Sequence, residues 1–160
     1  MIDPTFQSFD DHLDHLDPET VNKIAAHYPD CVMAGPSSCC SHFRQFGVSE
    51  KRCRLMMRGN ALEFKGIKIM PVYACHSDPA AVGVIFEADG KKSYHTGDSL
   101  YGERLFGELT EHCDLVLICI NGRLGNMSMD EALQVVKQLK PAILPDCFVV
   151  DYVRVFDEVK

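Results

Sequence analysis

Apolar residues recur along this chain at two spacings, and the switches between them mark alternating helices and strands. Val21, Ile24, Ala25 and Tyr28 follow helical spacing behind Asp17-Pro18-Glu19, an N-cap with proline at the first helical position, which predicts a helix over about 18–28. Cys31-Val32-Met33 is a short apolar run, read as a strand. Gly35-Pro36-Ser37-Ser38 then opens a second helix, in which Phe43 and Phe46 precede a stopping Gly47. Further on, Ile67-Lys68-Ile69 alternates and leads into Val72-Tyr73, and Val82–Phe86 pairs with Ser93-Tyr94-His95 across Asp89-Gly90. Asp-Gly suits the two-residue hairpin turn, whose central residues both need positive φ. The continuous run Leu115–Ile120 predicts a strand buried on both faces and central in a sheet. Ser128-Met129-Asp130-Glu131 fits a capping box, and Met129, Ala132, Leu133, Val136 and Leu139 form one helical stripe before Pro141 and a strand Ala142-Ile143-Leu144. With no internal repeat and no long linker, the pattern predicts a single α/β domain over 1–160.

Composition narrows the class. Sixteen Lys plus Arg against 23 Asp plus Glu give a formal charge of −7 without any basic block, which argues against a nucleic-acid partner. The run Leu115–Ile120 is too short to span a bilayer, and Met1-Ile2-Asp3-Pro4 lacks the basic and apolar regions of a signal peptide, so a cytoplasmic location is expected. Eight cysteines without a secretory signal or a C-x-x-C pair read as reduced thiols. Seven of them are expected to be small apolar fillers, with Cys147 set apart.

The polar residues able to do chemistry fall just after predicted strands: His76 after Tyr73, Asp98 after His95, Asn121 after Ile120, and Cys147 after Leu144. Loops at strand ends are where α/β folds place their sites. A second group lies in Asp10-Asp11-His12-Leu13-Asp14-His15-Leu16-Asp17, immediately ahead of the first helix. Imidazole and carboxylate together are a ligand set for zinc, manganese or iron. Residue types alone leave two readings open: a metal-binding cluster, or an acidic helix entry whose histidines only hydrogen-bond.

The order of motifs resembles a known family. His12-x-Asp14-His15, His76-Ser77 after a strand, Tyr94-His95-Thr96-Gly97-Asp98-Ser99 at a hairpin end and Pro145-x-Cys147 after a final strand are similar to the metallo-β-lactamase superfamily. Within it, the lactonase-like branch that includes L-ascorbate-6-phosphate lactonase is the nearest likeness. His15-Leu16-Asp17-Pro18, Val82-Gly83-Val84-Ile85 and Ile120-Asn121-Gly122 support it, over about Phe9 to Phe148. The resemblance implies an αββα sandwich and a dinuclear site. One metal would be held by Asp10, His12, His76 and Asp98, the other by Asp14, His15, Asp98 and Cys147, with two zinc or manganese ions, or iron, as cofactors.

Two ligand positions depart from the family's pattern: Asp10 stands where its first histidine falls, and Cys147 where its last does. Carboxylate and thiolate both ligate zinc, but added negative charge lowers the Lewis acidity of the metals, which predicts weaker activity. Met1 also lies only nine residues ahead of Asp10, where the family builds several strands. The sandwich is therefore expected to be incomplete in its N-terminal half, and a second copy or another chain is expected to cover the gap. The C-terminal run Val149–Phe156 alternates in part and offers a substitute strand.

The resemblance implies a hydrolase for a small lactone, ester or phosphoester, in which a bridging hydroxide attacks and Asp14 and Asp98 position the metals and the nucleophile. His95 would orient the Asp98 loop, and Arg123 would receive a substrate phosphate or carboxylate. The alternative is a degenerate member of the fold without catalysis, acting as a structural or interaction protein.

Overall fold

Asp17 starts the first helix as its sequence predicts. Its carboxylate accepts hydrogen bonds from the Thr20 amide at 2.7 Å and the Thr20 hydroxyl at 2.6 Å. The hydroxyl contact, then the amide, holds the acid below its ordinary range. The computed structural model describes residues 5–109 and 113–139, in two compact units, the first ending at Met57 and the second starting at Arg58.

In the first unit, strand β1 (Thr5–Gln7), helix α1 (Pro18–His27), strand β2 (Val32–Gly35), helix α2 (Ser37–Gln45) and strand β3 (Cys53–Leu55) follow in that order. The three strands pair in parallel in the order β1-β2-β3, with Phe6 opposite Met33 and Met33 opposite Cys53. Parallel neighbours need a crossover, and α1 and α2 supply the two. The core beneath them is Leu16, Val21, Cys31, Met33, Cys39, Cys40, Phe43 and Val48. A β-carbon on Gly35 would fall 2.7 Å from the Cys39 β-carbon, so glycine is what lets α2 lie this close to β2. Arg52 closes the other end of α1: its guanidinium donates to the carbonyls of Ala25 at 3.1 Å, Tyr28 at 2.9 Å and Cys31 at 2.9 Å.

The second unit holds strands β4 (Leu62–Phe64), β5 (Ile67–Tyr73), β6 (Val82–Ala88), β7 (Lys91–His95) and β8 (Leu115–Leu117), then helix α3 (Met129–Leu139). Their order in the sheet is β4-β5-β6-β7-β8, antiparallel as far as β7, with β8 parallel to β7. Asp89 and Gly90 take φ of 51° and 72° and join Ala88 to Lys91, the two-residue hairpin expected from Asp-Gly. Lys65-Gly66 makes an equivalent turn between β4 and β5, with φ of 49° and 84°. Pro71 is tolerated inside β5 because β4 pairs only as far as Ile69, leaving no ladder on that side for the missing N–H. Tyr94, Leu105, Val116, Ile118, Met127, Ala132 and Val135 fill the core.

Two sequence expectations need correction here. The run Leu115–Ile120 was expected to be one central strand, yet only Leu115–Leu117 joins the ladder, and β8 ends the strand order among the described residues. Ile118 and Cys119 are fully buried, but Cys119 donates its amide to the Thr96 hydroxyl at 3.4 Å instead of extending the ladder. Apolar burial alone does not separate a strand from a buried connector. In α3 the capping box forms: Ser128 donates its amide and its hydroxyl to the Glu131 carboxylate, both at 2.8 Å. Its buried face is Ala132, Val135, Val136 and Leu139, whereas Met129 and Leu133 are 69% and 48% exposed. The expected stripe was rotated by about one position, since both sets share three residues at a 3.6-residue period.

No disulfide joins the described cysteines. Cys31, Cys39, Cys40, Cys113 and Cys119 are buried as expected, while Cys53 and Cys75 are only half-buried. No described helix is long and apolar enough to cross a membrane. The strand expected at 142–144, Cys147 and the run 149–156 lie outside the described residues.

Candidate metal centre

In the first unit the donors come from one segment, Ser8 to Leu16, that follows β1. The Ser8 amide donates to the Ala34 carbonyl at 3.1 Å, which fixes the exit from the sheet. The Ser8 hydroxyl reaches both the Asp10 carbonyl at 2.9 Å and the His15 carbonyl at 3.1 Å, and the Cys39 thiol donates to the same Asp10 oxygen at 2.9 Å. The segment closes on itself in one turn, with the His15 and Leu16 amides donating to the His12 carbonyl at 3.0 and 2.8 Å.

This turn places a fully buried carboxylate between two imidazoles. His12 Nδ1 lies 3.6 Å from Asp10 Oδ1, and His15 Nδ1 lies 3.5 Å from Asp10 Oδ2. The His12 amide also donates to Asp10 Oδ1 at 3.0 Å. Asp14 stands on the other side of His15, its Oδ2 at 3.9 Å from Nε2 and its side chain 68% exposed. Asp10, at the position where the sequence departs from the family's histidine, is thus the carboxylate both imidazoles face.

In the second unit the donors stand on separate loops joined by long-range bonds. His76 follows β5 and Asp98 follows β7. Ser99 ties these two loops together: its hydroxyl accepts from the Cys75 amide at 2.9 Å, and the Leu100 amide donates to the Cys75 carbonyl at 2.8 Å. Asp98 is 5% exposed, and its Oδ2 accepts from the Asn126 side-chain amide at 3.0 Å. The Asn126 side-chain oxygen, Oδ1, accepts in turn from the Ser99 amide at 3.2 Å. His95 Nδ1 accepts from the Gly97 amide at 3.0 Å, inside a bend that Gly97 makes at φ 60°, so neutral His95 carries its proton on Nε2.

A third loop completes this unit's donor region. Asn121 bridges to Ser128, the Gly122 amide donates to the Met127 carbonyl at 2.9 Å, and the Asn126 amide donates to the Arg123 carbonyl at 3.0 Å. Leu124 and Gly125 at the tip take φ of 55° and 85°, the signs of a primed hairpin turn. Left-handed backbone at a non-glycine residue costs of order 1–2 kcal/mol. A β-carbon on Gly125 would fall 2.8 Å from Cε1 and Nδ1 of His76, so the glycine backbone forms the wall behind that imidazole. Asn121 accepts from the Arg123 amide at 3.0 Å and serves the turn, and the Arg123 side chain is exposed.

Ser8, Ser99, Gly125 and Asn126 were not singled out from the sequence as site residues. Gly125-Asn126, between an apolar run and a capping box, was a visible turn signal. Nothing local marks Ser8.

The donor chemistry fits a divalent transition metal. Each unit presents a buried carboxylate, Asp10 or Asp98, already held by a hydrogen bond, with imidazole in the same segment or region. Buried carboxylates are stable where cations or metals balance them. Cys119 is unsuited to the task, because burial pushes its thiol up from its ordinary range despite hydrogen bonds that lower it.

Comparison with known proteins agrees with this chemistry. A beta-lactamase superfamily domain matches residues 8–144. A protein of Korarchaeum cryptofilum named as a metal-dependent hydrolase is 35% identical over 81 residues, covering 48% of this chain and 36% of that protein. A probable L-ascorbate-6-phosphate lactonase of Escherichia coli is 28% identical over 126 residues, covering 64% of this chain and 35% of that protein. The chain thus spans about a third of the length of these curated relatives.

Among solved structures, the metallo-beta-lactamase fold protein YhfI from Bacillus subtilis superposes with a TM-score of 0.71 at 15% identity, over 86% of this chain and 61% of that one. The diiron β-hydroxylase CmlA from Streptomyces venezuelae gives a TM-score of 0.74 at 13% identity, over 88% and 35%. Identities this low establish the fold alone. With the domain match over most of its length, the mixed α/β architecture and relatives on the lactonase side, this chain belongs to the metallo-β-lactamase superfamily.

Proposed function

We propose that the protein is a metal-dependent hydrolase, dinuclear, acting on a small lactone, ester or phosphoester. The observation that supports this most directly is the pair of buried carboxylates, Asp10 facing His12 and His15 in one unit and Asp98 held by Asn126 in the other. By the order of motifs, Asp10, His12, His76 and Asp98 would hold one metal, and Asp14, His15, Asp98 and Cys147 the second. When bound, zinc, manganese or iron supplies Lewis acidity toward a substrate oxygen and lowers the pKa of water.

The chain's own groups do the positioning. Asn126 fixes one oxygen of Asp98 and so orients the carboxylate. The Gly125 backbone lies close against the His76 ring, and the Gly97 amide sets the tautomer of His95. Arg123, exposed on the loop that carries both Gly125 and Asn126, would receive a phosphate or carboxylate of the substrate. Carboxylate at 10 and thiolate at 147 in place of imidazole add negative charge to the ligand set, so activity below that of an all-histidine relative is expected.

Elemental analysis of the purified full chain tests the reading. Wild type should retain close to two equivalents of transition metal after mild dialysis, and Asp98→Ala should lose most of it. Unchanged metal in Asp98→Ala would show the site assignment to be wrong. Metal below one equivalent in wild type, with no melting shift on adding zinc or manganese, would favour a non-catalytic member of the fold. Hydrolysis that rises in an Asp10→His, Cys147→His double variant would assign the weak activity to those two replacements.

A further inference from the structure

One face of the second unit's sheet carries a groove that its own core does not fill. Residues directly opposite on antiparallel strands share a face. Lys68, Glu87 and Lys92 therefore form one row across β5, β6 and β7, and Met70, Ile85 and Tyr94 form the next. Toward the loops of His76 and Asp98 this face is core, with Val72 and Tyr94 buried in one cluster with Leu105 and Leu109. Toward Lys68 the cover runs out. A cavity of about 530 Å³ opens there over Met70 and Ile85, lined also by Glu108 and by Arg58, Lys68 and Lys92. A sheet face that meets water normally carries polar residues, whereas this floor is methionine and isoleucine, both half-buried. The volume is that of a small-molecule site.

The charges around the floor select the ligand. Glu108 Oε1 accepts from Arg58 Nε at 3.2 Å and Nη2 at 2.7 Å, and its Oε2 accepts from the Tyr73 amide at 2.8 Å, so both oxygens are engaged. Lys91 is held by Asp114 at 2.8 Å. Lys68 Nζ lies 3.8 Å from Glu87, the one carboxylate that stands between Lys68 and Lys92 in their row. Arg58, Lys68, Lys91 and Lys92 thus face Glu87, Glu108 and Asp114, four cations against three carboxylates, in a chain whose formal charge is −7. An apolar floor beside one surplus positive charge matches an amphipathic monoanion. A phosphate monoester, with nearly two negative charges at neutral pH, overshoots that surplus.

The groove is also separate from the donors of the candidate metal centre. Lys68 and Lys92 lie at the ends of β5 and β7 away from His76 and Asp98. Lys68 and Tyr73 are five residues apart on β5, which spans about 17 Å at 3.4 Å per residue, and His76 comes later still.

We propose that this groove is a second binding site, for a small carboxylate with an aryl or alkyl tail, the tail resting on Met70 and Ile85 and the carboxylate meeting Lys68 and Lys92. It does not depend on the hydrolase reading.

Isothermal titration of the full chain at low salt with 4-phenylbutyrate tests it. Acetate, which lacks the tail, and 4-phenylbutylamine, which keeps the tail and reverses the charge, should each bind at least tenfold more weakly. Phenyl phosphate should bind no more tightly than 4-phenylbutyrate. Lys68, with its side chain 52% exposed, tolerates substitution, and Lys68→Glu should weaken 4-phenylbutyrate about tenfold while the melting curve stays cooperative. Met70→Trp fills the floor and should weaken it as much. Asp98→Ala should leave the affinity unchanged, because the groove is not the metal centre. Equal binding of acid and amine, phenyl phosphate binding the more tightly, or a folded Lys68→Glu with wild-type affinity overturns the proposal. Loss of 4-phenylbutyrate binding in Asp98→Ala would place the carboxylate at the metal centre and overturn it too, while leaving the hydrolase reading standing.

Discussion

The two units hold their carboxylates by opposite means. In the first, Asp10, His12 and His15 belong to one short segment, braced by contacts such as His12 amide to Asp10 and Leu16 amide to the His12 carbonyl. In the second, Asp98 is held from 28 positions away by Asn126, and the loops of Cys75 and Ser99 are tied across 24 positions. A contiguous turn keeps its geometry whenever its own few residues are ordered. A set of loops keeps its geometry only when the sheet beneath them is folded and all the cross-ties form together. The first arrangement spreads its support over many local bonds, while the second concentrates it in a few side chains.

The largest effects are therefore expected in the second unit. Asn126→Ala removes the donor to Asp98 and strands the buried Ser99 amide, and partners that orient ligands are worth about 10–100-fold in metal affinity. Competition against a coloured chelator measures it, and a change below twofold would show that Asp98 is oriented by something else. Gly125→Ala comes next. A methyl group at that position meets the His76 ring at 2.8 Å, and φ of 85° strains any side chain, so about 1–2 kcal/mol of stability and roughly tenfold in metal affinity should go together. Loss of stability with full metal affinity would mean that the ring moves aside without consequence.

The same contrast explains what was legible in the sequence. The segment Asp10–Asp17, with His12, Asp14 and His15, could be singled out directly because its members are neighbours in the chain, whereas Asp10 itself was named only through the family resemblance. The Asp89-Gly90 hairpin and the Asp17 and Ser128 helix starts were equally legible, since each is decided by residues within a few positions. Asn126, Ser99 and Gly125 acquire their roles only when strands bring distant loops together, and no local pattern marks that. The two misread elements failed for a related reason: whether Ile118 continues a ladder, or Met129 faces the core, is set by neighbours elsewhere in the sheet. Recognition of the fold survived these errors because it rested on the order of motifs rather than on any one element.

Ser8 is the first unit's counterpart of Asn126, and it sharpens the contrast. Its hydroxyl bridges the carbonyls of Asp10 and His15, but the amide contacts of the turn remain without it. Ser8→Ala is expected to cost about 1 kcal/mol, hence no more than about fivefold in metal affinity. An effect as large as that of Asn126→Ala would refute the idea that the local turn shares its load.

The helix caps carry the smallest expected effect, and their pH dependence has a definite sign. In the second unit the Ser128 amide, then its hydroxyl, hold the Glu131 carboxyl below its ordinary range, and Thr20 does the same for Asp17 in the first. A depressed folded pKa contributes stability that is complete above the unfolded value and is lost as pH falls through the folded one. Ser128→Ala should cost about 1 kcal/mol near neutrality. The melting difference between wild type and Glu131→Ala should therefore shrink as pH is lowered from about 6 to about 3, and Asp17→Ala should show the same trend. Both caps are local, so their responses should match in sign although the units differ in how they hold their carboxylates. A Glu131→Ala difference that stays constant down to the acid limit would mean that the carboxylate contributes by packing rather than by accepting the Ser128 hydrogen bonds.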